Sequence, residues 1–250
     1  MDTRRWRQSL AIPVALALLN LAGMNRGGAE PGDYPAGAVS PRRVRAVAGD
    51  EKWVSTGCIP GTDHMVAALL ADGEGGLYIG GFFDRAGDVY SQGVVRWDGV
   101  SWSPLGSGLV GRVYALARNG SDLYAGGYFP GAPGVSATNV ARWDGSSWSA
   151  LSSGLNGFVF DLAWAGTTLY AGGYFTKAGT AETYYIAAWD GSSWSAVGSG
   201  FNDYVHALSW AGATLYAGGN FPRAGSAETY YIAAWDGSSW STLSSGLNGT

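Results

Sequence analysis

Leu169-Tyr-Ala-Gly-Gly173 and, after a short connection, Ile186-Ala-Ala-Trp-Asp-Gly-Ser-Ser-Trp194 are the stretches from which the fold can be read. The first is an apolar run that stops at a Gly doublet. The second runs into an Asp-Gly-Ser-Ser turn with a Trp on each side. If Trp189 and Trp194 pair across that turn, their side chains share one face, and Gly191 supplies the positive φ the turn requires. Val159–Trp164 before these stretches and Ser193–Val197 at their end complete four short segments. All are rich in aromatic and β-branched residues and are separated by Gly-containing turns, which is the signature of antiparallel strands. No stretch outside the N-terminal region sustains a helical period.

Outward from this unit, the same markers recur. Trp97, Trp143, Trp189 and Trp235, each followed by Asp-Gly, stand 46 residues apart, as do their companions Trp102, Trp148, Trp194 and Trp240. The doublets Gly80-Gly81, Gly126-Gly127, Gly172-Gly173 and Gly218-Gly219 keep the same step, as do Tyr78, Tyr124, Tyr170 and Tyr216. Four antiparallel strands in ~46 residues is the arithmetic of a β-propeller blade. The expected fold is therefore all-β, a propeller of four-stranded blades over residues 51–250, with units at about 65–108, 112–155, 158–200 and 204–247. The repeated Trp residues are read as packing between blades. Glu51–Gly57 resembles the outermost strand of a further unit, and Thr250 falls one residue before the next first strand. The expectation is an incomplete ring of a longer propeller, the alternatives being four blades closing alone or two chains completing one ring. Open blade edges would favour self-association.

The order of markers, Leu169-Tyr-Ala-Gly-Gly173, then Ile186-Ala-Ala-Trp-Asp190, then Trp194, resembles a kelch-type blade, over residues 66–247. The resemblance implies a propeller fold of the galactose-oxidase type. That family's copper site needs a Cys-linked Tyr and His ligands. One Cys (Cys58) and two His (His64 and His206) do not supply them, so the resemblance implies a fold without an activity, and no cofactor is expected.

Composition narrows the function classes. The chain has 250 residues, 41 of them Gly, with 14% aromatic and 14% charged residues. High Gly without a Gly-X-Y period excludes collagen, and the aromatic content argues against disorder. A single Cys excludes a disulfide framework or a multi-cysteine metal site. Residues 1–50 hold 7 Arg against 4 acidic residues, and residues 51–250 hold 8 basic against 15 acidic ones. An acidic fold disfavours nucleic acid as a partner. Arg4, Arg5 and Arg7, the apolar run Leu10–Met24 and small residues at Gly27 and Ala29 read as a signal peptide over 1–29. Pro31, Pro35 and Pro41 make 30–50 a flexible linker. No other apolar run is long enough to span a bilayer, so the mature chain is expected to lack a transmembrane helix and to be secreted or held at the cell surface, the periplasm included.

Asp98, Asp144, Asp190 and Asp236 could be a ring of calcium ligands, but each lies in an Asp-Gly turn where Asp is favoured for turn geometry, and no calcium loop surrounds them. They are read as structural, and no metal site is expected. The connection between second and third strands is different. Ala181-Glu-Thr-Tyr-Tyr185 and Ala227-Glu-Thr-Tyr-Tyr231 recur in the last two units. Glu182, Tyr184, Glu228 and Tyr230 offer acceptors and aromatic faces on the side of a propeller where ligands dock. Units three and four match at 28 of 36 positions over 161–196 and 207–242. Near-identical blades suit a multivalent surface better than an active site, which needs different residues in distinct roles. No catalytic residues are assigned. The expected function is a secreted, non-catalytic module binding a glycan or an extracellular protein. The alternatives are a hydrolase or lyase with a site at the central channel, and a structural segment of a larger surface protein.

Overall fold

A computed structural model describes residues 61–243. The signal peptide, the linker, the leading strand at 51–57, Cys58 and the end of unit four lie outside the described residues. Unit one carries β1 (Met65–Ala71), β2 (Leu77–Phe82), β3 (Arg85–Ala86), β4 (Val89–Tyr90), β5 (Val94–Trp97) and β6 (Trp102–Pro104). Unit two carries β7 (Arg112–Asn119), β8 (Asp122–Tyr128), β9 (Val140–Trp143) and β10 (Trp148–Ala150). Unit three has β11 (Phe158–Ala165), β12 (Thr168–Tyr174), β13 (Lys177–Ala178), β14 (Ala181–Glu182), β15 (Ile186–Trp189) and β16 (Trp194–Ala196). Unit four repeats that set as β17 (Val205–Ala211), β18 (Thr214–Gly219), β19 (Arg223–Ala224), β20 (Ala227–Glu228), β21 (Ile232–Trp235) and β22 (Trp240–Thr242).

The described residues form no helix, and none offers a helix long and apolar enough to cross a membrane. Each unit is one four-stranded antiparallel sheet: β1-β2-β5-β6, β7-β8-β9-β10, β11-β12-β15-β16 and β17-β18-β21-β22. Its first strand carries a bulge at an equivalent place in all four units, where the register skips Ala67, Tyr114, Phe160 or His206. The first strands lie side by side, β1 against β7, β7 against β11 and β11 against β17, and no comparable packing joins β1 to β17. The described array is an open row.

One feature departs from the sequence reading. The connection between second and third strands holds a two-stranded hairpin of its own in units one, three and four: β3-β4, β13-β14 and β19-β20. Strands of two residues are too short to show alternation, and only their turn residues are visible in sequence.

The core lies between the sheets. Val113, Val159 and Val205, on the first strands of units two to four, are fully buried. They seat against the preceding unit where the Gly doublet leaves room. A Cβ on Gly126 would stand 2.6 Å from Val159 Cγ1, and one on Gly172 would stand 2.6 Å from Val205 Cγ1. Trp97 faces Trp102, Trp143 faces Trp148, Trp189 faces Trp194 and Trp235 faces Trp240 in the third and fourth strands. Their ring centroids are 4.7, 5.4, 5.2 and 5.2 Å apart. In units two to four the second Trp also ties its unit to the one before. Trp148 Nε1 donates to Leu105 O (2.8 Å), Trp194 Nε1 to Leu151 O (3.0 Å) and Trp240 Nε1 to Val197 O (3.0 Å).

Candidate functional site

The four repeated Asp residues shape turns. Asp190 Oδ1 accepts from the backbone N–H of Ser192 and Ser193, both at 2.8 Å, and from the Ser192 hydroxyl at 2.9 Å. Asp144 and Asp236 make the same set with their following serines. Asp98 Oδ1 accepts from the backbone N–H of Val100 and Ser101 alone, and its Oδ2 accepts from the Ser101 hydroxyl. The donated hydrogen bonds, from the backbone of the second Ser first, hold all four carboxyls below the usual range. Among the described residues no three His, Cys, Asp or Glu gather as a metal site would require.

Glu182 and Glu228 sit on the short hairpins, opposite Lys177 and Arg223 in register. Both are exposed. Tyr230 hydroxyl donates to Glu228 Oε2 at 3.2 Å, and Tyr184 hydroxyl lies 3.5 Å from Glu182 Oε2. Each Glu–Tyr pair of the sequence reading is therefore brought together within its own unit. The Tyr184 carbonyl also accepts from Phe201 N (3.1 Å) in the link to unit four, as the Thr138 carbonyl accepts from Leu155 N and that of Gln92 from Leu109 N. The connection thus lies beside the link between units.

The backbone at these tyrosines is unusual. Tyr184, Tyr185, Tyr230 and Tyr231 have φ of 40°, 70°, 46° and 75°. A bulky residue pays a steric cost there. The cause at the second position is a turn shared by every unit. Gly93, Asn139, Tyr185 and Tyr231 each donate N–H to the Phe that follows the second strand (Phe83, Phe129, Phe175, Phe221) and accept from the second Gly of the doublet. Gly and Asn suit this conformation, and the last two units place Tyr in it.

A second set of residues was missed by sequence reasoning. The residue after the doublet stacks on the start of the next unit's first strand. Arg112 lies over the Phe82 ring at 4.9 Å, Tyr128 stacks on Phe158 at 4.3 Å and 13°, and Tyr174 meets Tyr204 at 4.3 Å. The bulge residues extend this belt: Tyr114 and Phe160 are 6.0 Å apart, and Phe160 and His206 are 5.2 Å apart. Tyr185 joins it through Tyr174 (6.2 Å) and Tyr204 (5.9 Å). Desolvation pushes the His206 imidazole below its ordinary pKa. Phe82, Tyr128 and Tyr174 are exposed. The signal lay in the residue after each doublet, aromatic in three units of four; its partners across the interface have no common residue type.

One acidic residue stands on the first strands, Asp161, where the other units have Ala68, Ala115 and Ala207. Its Oδ1 accepts from Leu162 N (2.8 Å) and its Oδ2 from Leu208 N of the next unit (2.7 Å). Desolvation raises its pKa to about 6 against the pull of both donors. Two shallow grooves of about 240 and 180 Å³ lie around Trp235, and both are smaller than the ~300 Å³ at which small-molecule pockets begin.

No protein-family model and no curated protein matches the chain. Among solved structures it is similar to the computationally designed Ika4 protein, at 17% identity and a TM-score of 0.44, over 71% of this chain and 94% of that one. It is also similar to the computationally designed Ika8 protein, at 14% identity and a TM-score of 0.36, over 71% of this chain and 61% of that one.

Proposed function

We propose that the four sheets are blades of a kelch-like β-propeller, and that the chain is an exported, non-catalytic module that binds glycan on the face where the unit links and the second-to-third connections meet. The observation that carries this reading is the left-handed tyrosines. Gly93 and Asn139 meet the same backbone requirement without a bulky side chain in a disfavoured conformation. Tyr at both equivalent positions is therefore kept for its ring, and strain of this kind marks functional positions. A sugar offers apolar C–H faces and hydroxyl edges. Tyr128, Tyr174 and Tyr185 supply flat rings for the first, and Glu182 and Glu228 supply acceptors for the second. An enzyme with its site on the four first strands would need convergent acidic groups, whereas those strands carry only Asp161 among the described residues, and both its oxygens face backbone donors.

The test is a glycan array followed by titration calorimetry on the full chain, with Tyr174→Ala, Tyr185→Gly and Glu182→Gln. The expected result is a retained glycan whose affinity falls at least tenfold in each Tyr variant, with less loss for Glu182→Gln. No retained glycan, or affinity indifferent to all three changes, sinks the reading.

A further inference from the structure

Three features that repeat inside the described residues 61–243 stand unmatched at the two ends of that stretch. The first Gly of each doublet makes a socket for the next unit. A Cβ on Gly80 would meet Val113 and Leu116, on Gly126 Val159 and Leu162, and on Gly172 Val205 and Leu208. At Gly218 the nearest atom to such a Cβ is Tyr231 O, 3.9 Å away. The plugs for these sockets are the Val and Leu of each first strand, and in unit one they are Val66 and Leu69. Leu69 is 59% exposed, whereas Leu162 and Leu208 are 6% and 8% exposed. The third feature is the indole tie. Its acceptors run Leu105, Leu151 and Val197 at 46-residue steps, so the next carbonyl in the series is that of Leu243. Trp102 Nε1 is a buried donor without an acceptor. Trp97 and Trp102 are only half-buried, while the six Trp paired across the third and fourth strands of the later units are buried.

We propose that a second copy of this chain docks head to tail, with Val66, Leu69 and Trp102 of one copy seated on the Gly218 socket and the Leu243 carbonyl of the other. The two faces are complementary because they repeat the three interfaces already present within one chain, so the contact continues an established packing. Each copy carries both faces. A heterologous contact of this kind closes when the rotation per unit allows it. Two sets of the four described units would then make a ring of eight, at the top of the usual propeller range of ~4–8. The ring rests on the propeller reading, whereas the contact does not, and neither depends on the glycan.

The experiment is light scattering of the full chain over a dilution series, with Leu69→Asp and Gly218→Val. Both positions are open in a single copy, so both variants should keep the fold, checked by circular dichroism and Trp fluorescence. The wild type is expected at twice the chain mass. Each variant should be monomeric at concentrations at least tenfold above those that dissociate the wild type. Mixing the variants should restore a one-to-one complex, because the head of Gly218→Val and the tail of Leu69→Asp remain intact. A wild type that is monomeric throughout overturns the proposal. So does a dimer that survives both substitutions.

Discussion

Units three and four match at 28 of 36 positions over 161–196 and 207–242, and unit two matches unit three at 20 of those 36, the differences gathering in the connection between second and third strands. The comparison separates two kinds of constraint. The Gly doublet, the Trp pair and the Asp-Gly turn are common to all four, and in the structure each has a packing or hydrogen-bonding task. The second-to-third connection varies freely, from Asp84–Gln92 in unit one to the paired Ala-Glu-Thr-Tyr-Tyr segments of the last two units. Its backbone still meets the same partners in every unit. What differs is which side chain is displayed, and the last two units display Tyr at a conformational cost. Frame and display are therefore separable, and substitutions can be chosen to strike one and spare the other.

The largest effect belongs to the frame. Trp194 is buried, faces Trp189 and donates to Leu151 O. Trp194→Ala should cost about 3–5 kcal/mol, the range for emptying a buried large aromatic site. Trp102 has the same place in unit one but is half-buried and without an acceptor. Trp102→Ala should cost about 1–2 kcal/mol in the single copy, since only part of the burial is lost. Urea unfolding of both variants at low protein concentration measures the gap. Equal losses would mean that the marker, and not its neighbour, sets the stability.

Asp161 breaks the frame's own pattern, since the three other units have Ala there. Its folded pKa of about 6 lies above the ordinary 3.8, so its contribution is fully present below about pH 4 and is lost as the pH rises through 6. The difference in stability between wild type and Asp161→Ala should therefore move against the wild type by about 2 kcal/mol between pH 4 and 7, a shift of that size following from the pKa displacement. Denaturant midpoints at the two pH values read it directly. A parallel pair of curves would place the carboxyl in water.

How much of this was legible in sequence follows the same division. Trp189, Gly172 and Asp190 announced four-stranded units because one residue type does one job at one spacing in every copy. The short hairpins were hidden because two residues cannot show alternation. The aromatic belt was hidden for another reason. Its contacts cross between units, pairing Phe82 with Arg112 and Tyr128 with Phe158, so the repeat conserves a place without conserving a residue. Glu182 and Tyr184 were found as a pair, since they are neighbours in the chain. The left-handed backbone beneath Tyr184 and Tyr185 had no sequence sign beyond Gly93 and Asn139 standing at the equivalents of Tyr185.

That equivalence yields the smallest and most discriminating prediction. At a left-handed position Gly relieves roughly 1–2 kcal/mol of steric cost relative to an L side chain. Tyr184 is 47% exposed, so its ring has little packing to lose. Tyr184→Gly should therefore raise stability by about 1 kcal/mol, partly offset by the greater freedom of Gly in the unfolded chain. Tyr185 is half-buried against Tyr174 and Tyr204, so Tyr185→Gly should come out within about 1 kcal/mol of neutral as strain relief and lost contact oppose one another. The reverse change, Asn139→Tyr, also removes the bond from the Asn139 side chain to Leu155 O (2.9 Å) and the acceptor for Phe129 N (2.9 Å). It should destabilise unit two by about 2 kcal/mol, the strain adding to the loss of two buried hydrogen bonds. Thermal melts of the three variants set the order. If Tyr184→Gly is destabilising by a similar amount, the ring is part of the frame, and the division between frame and display fails at the residue on which it rests.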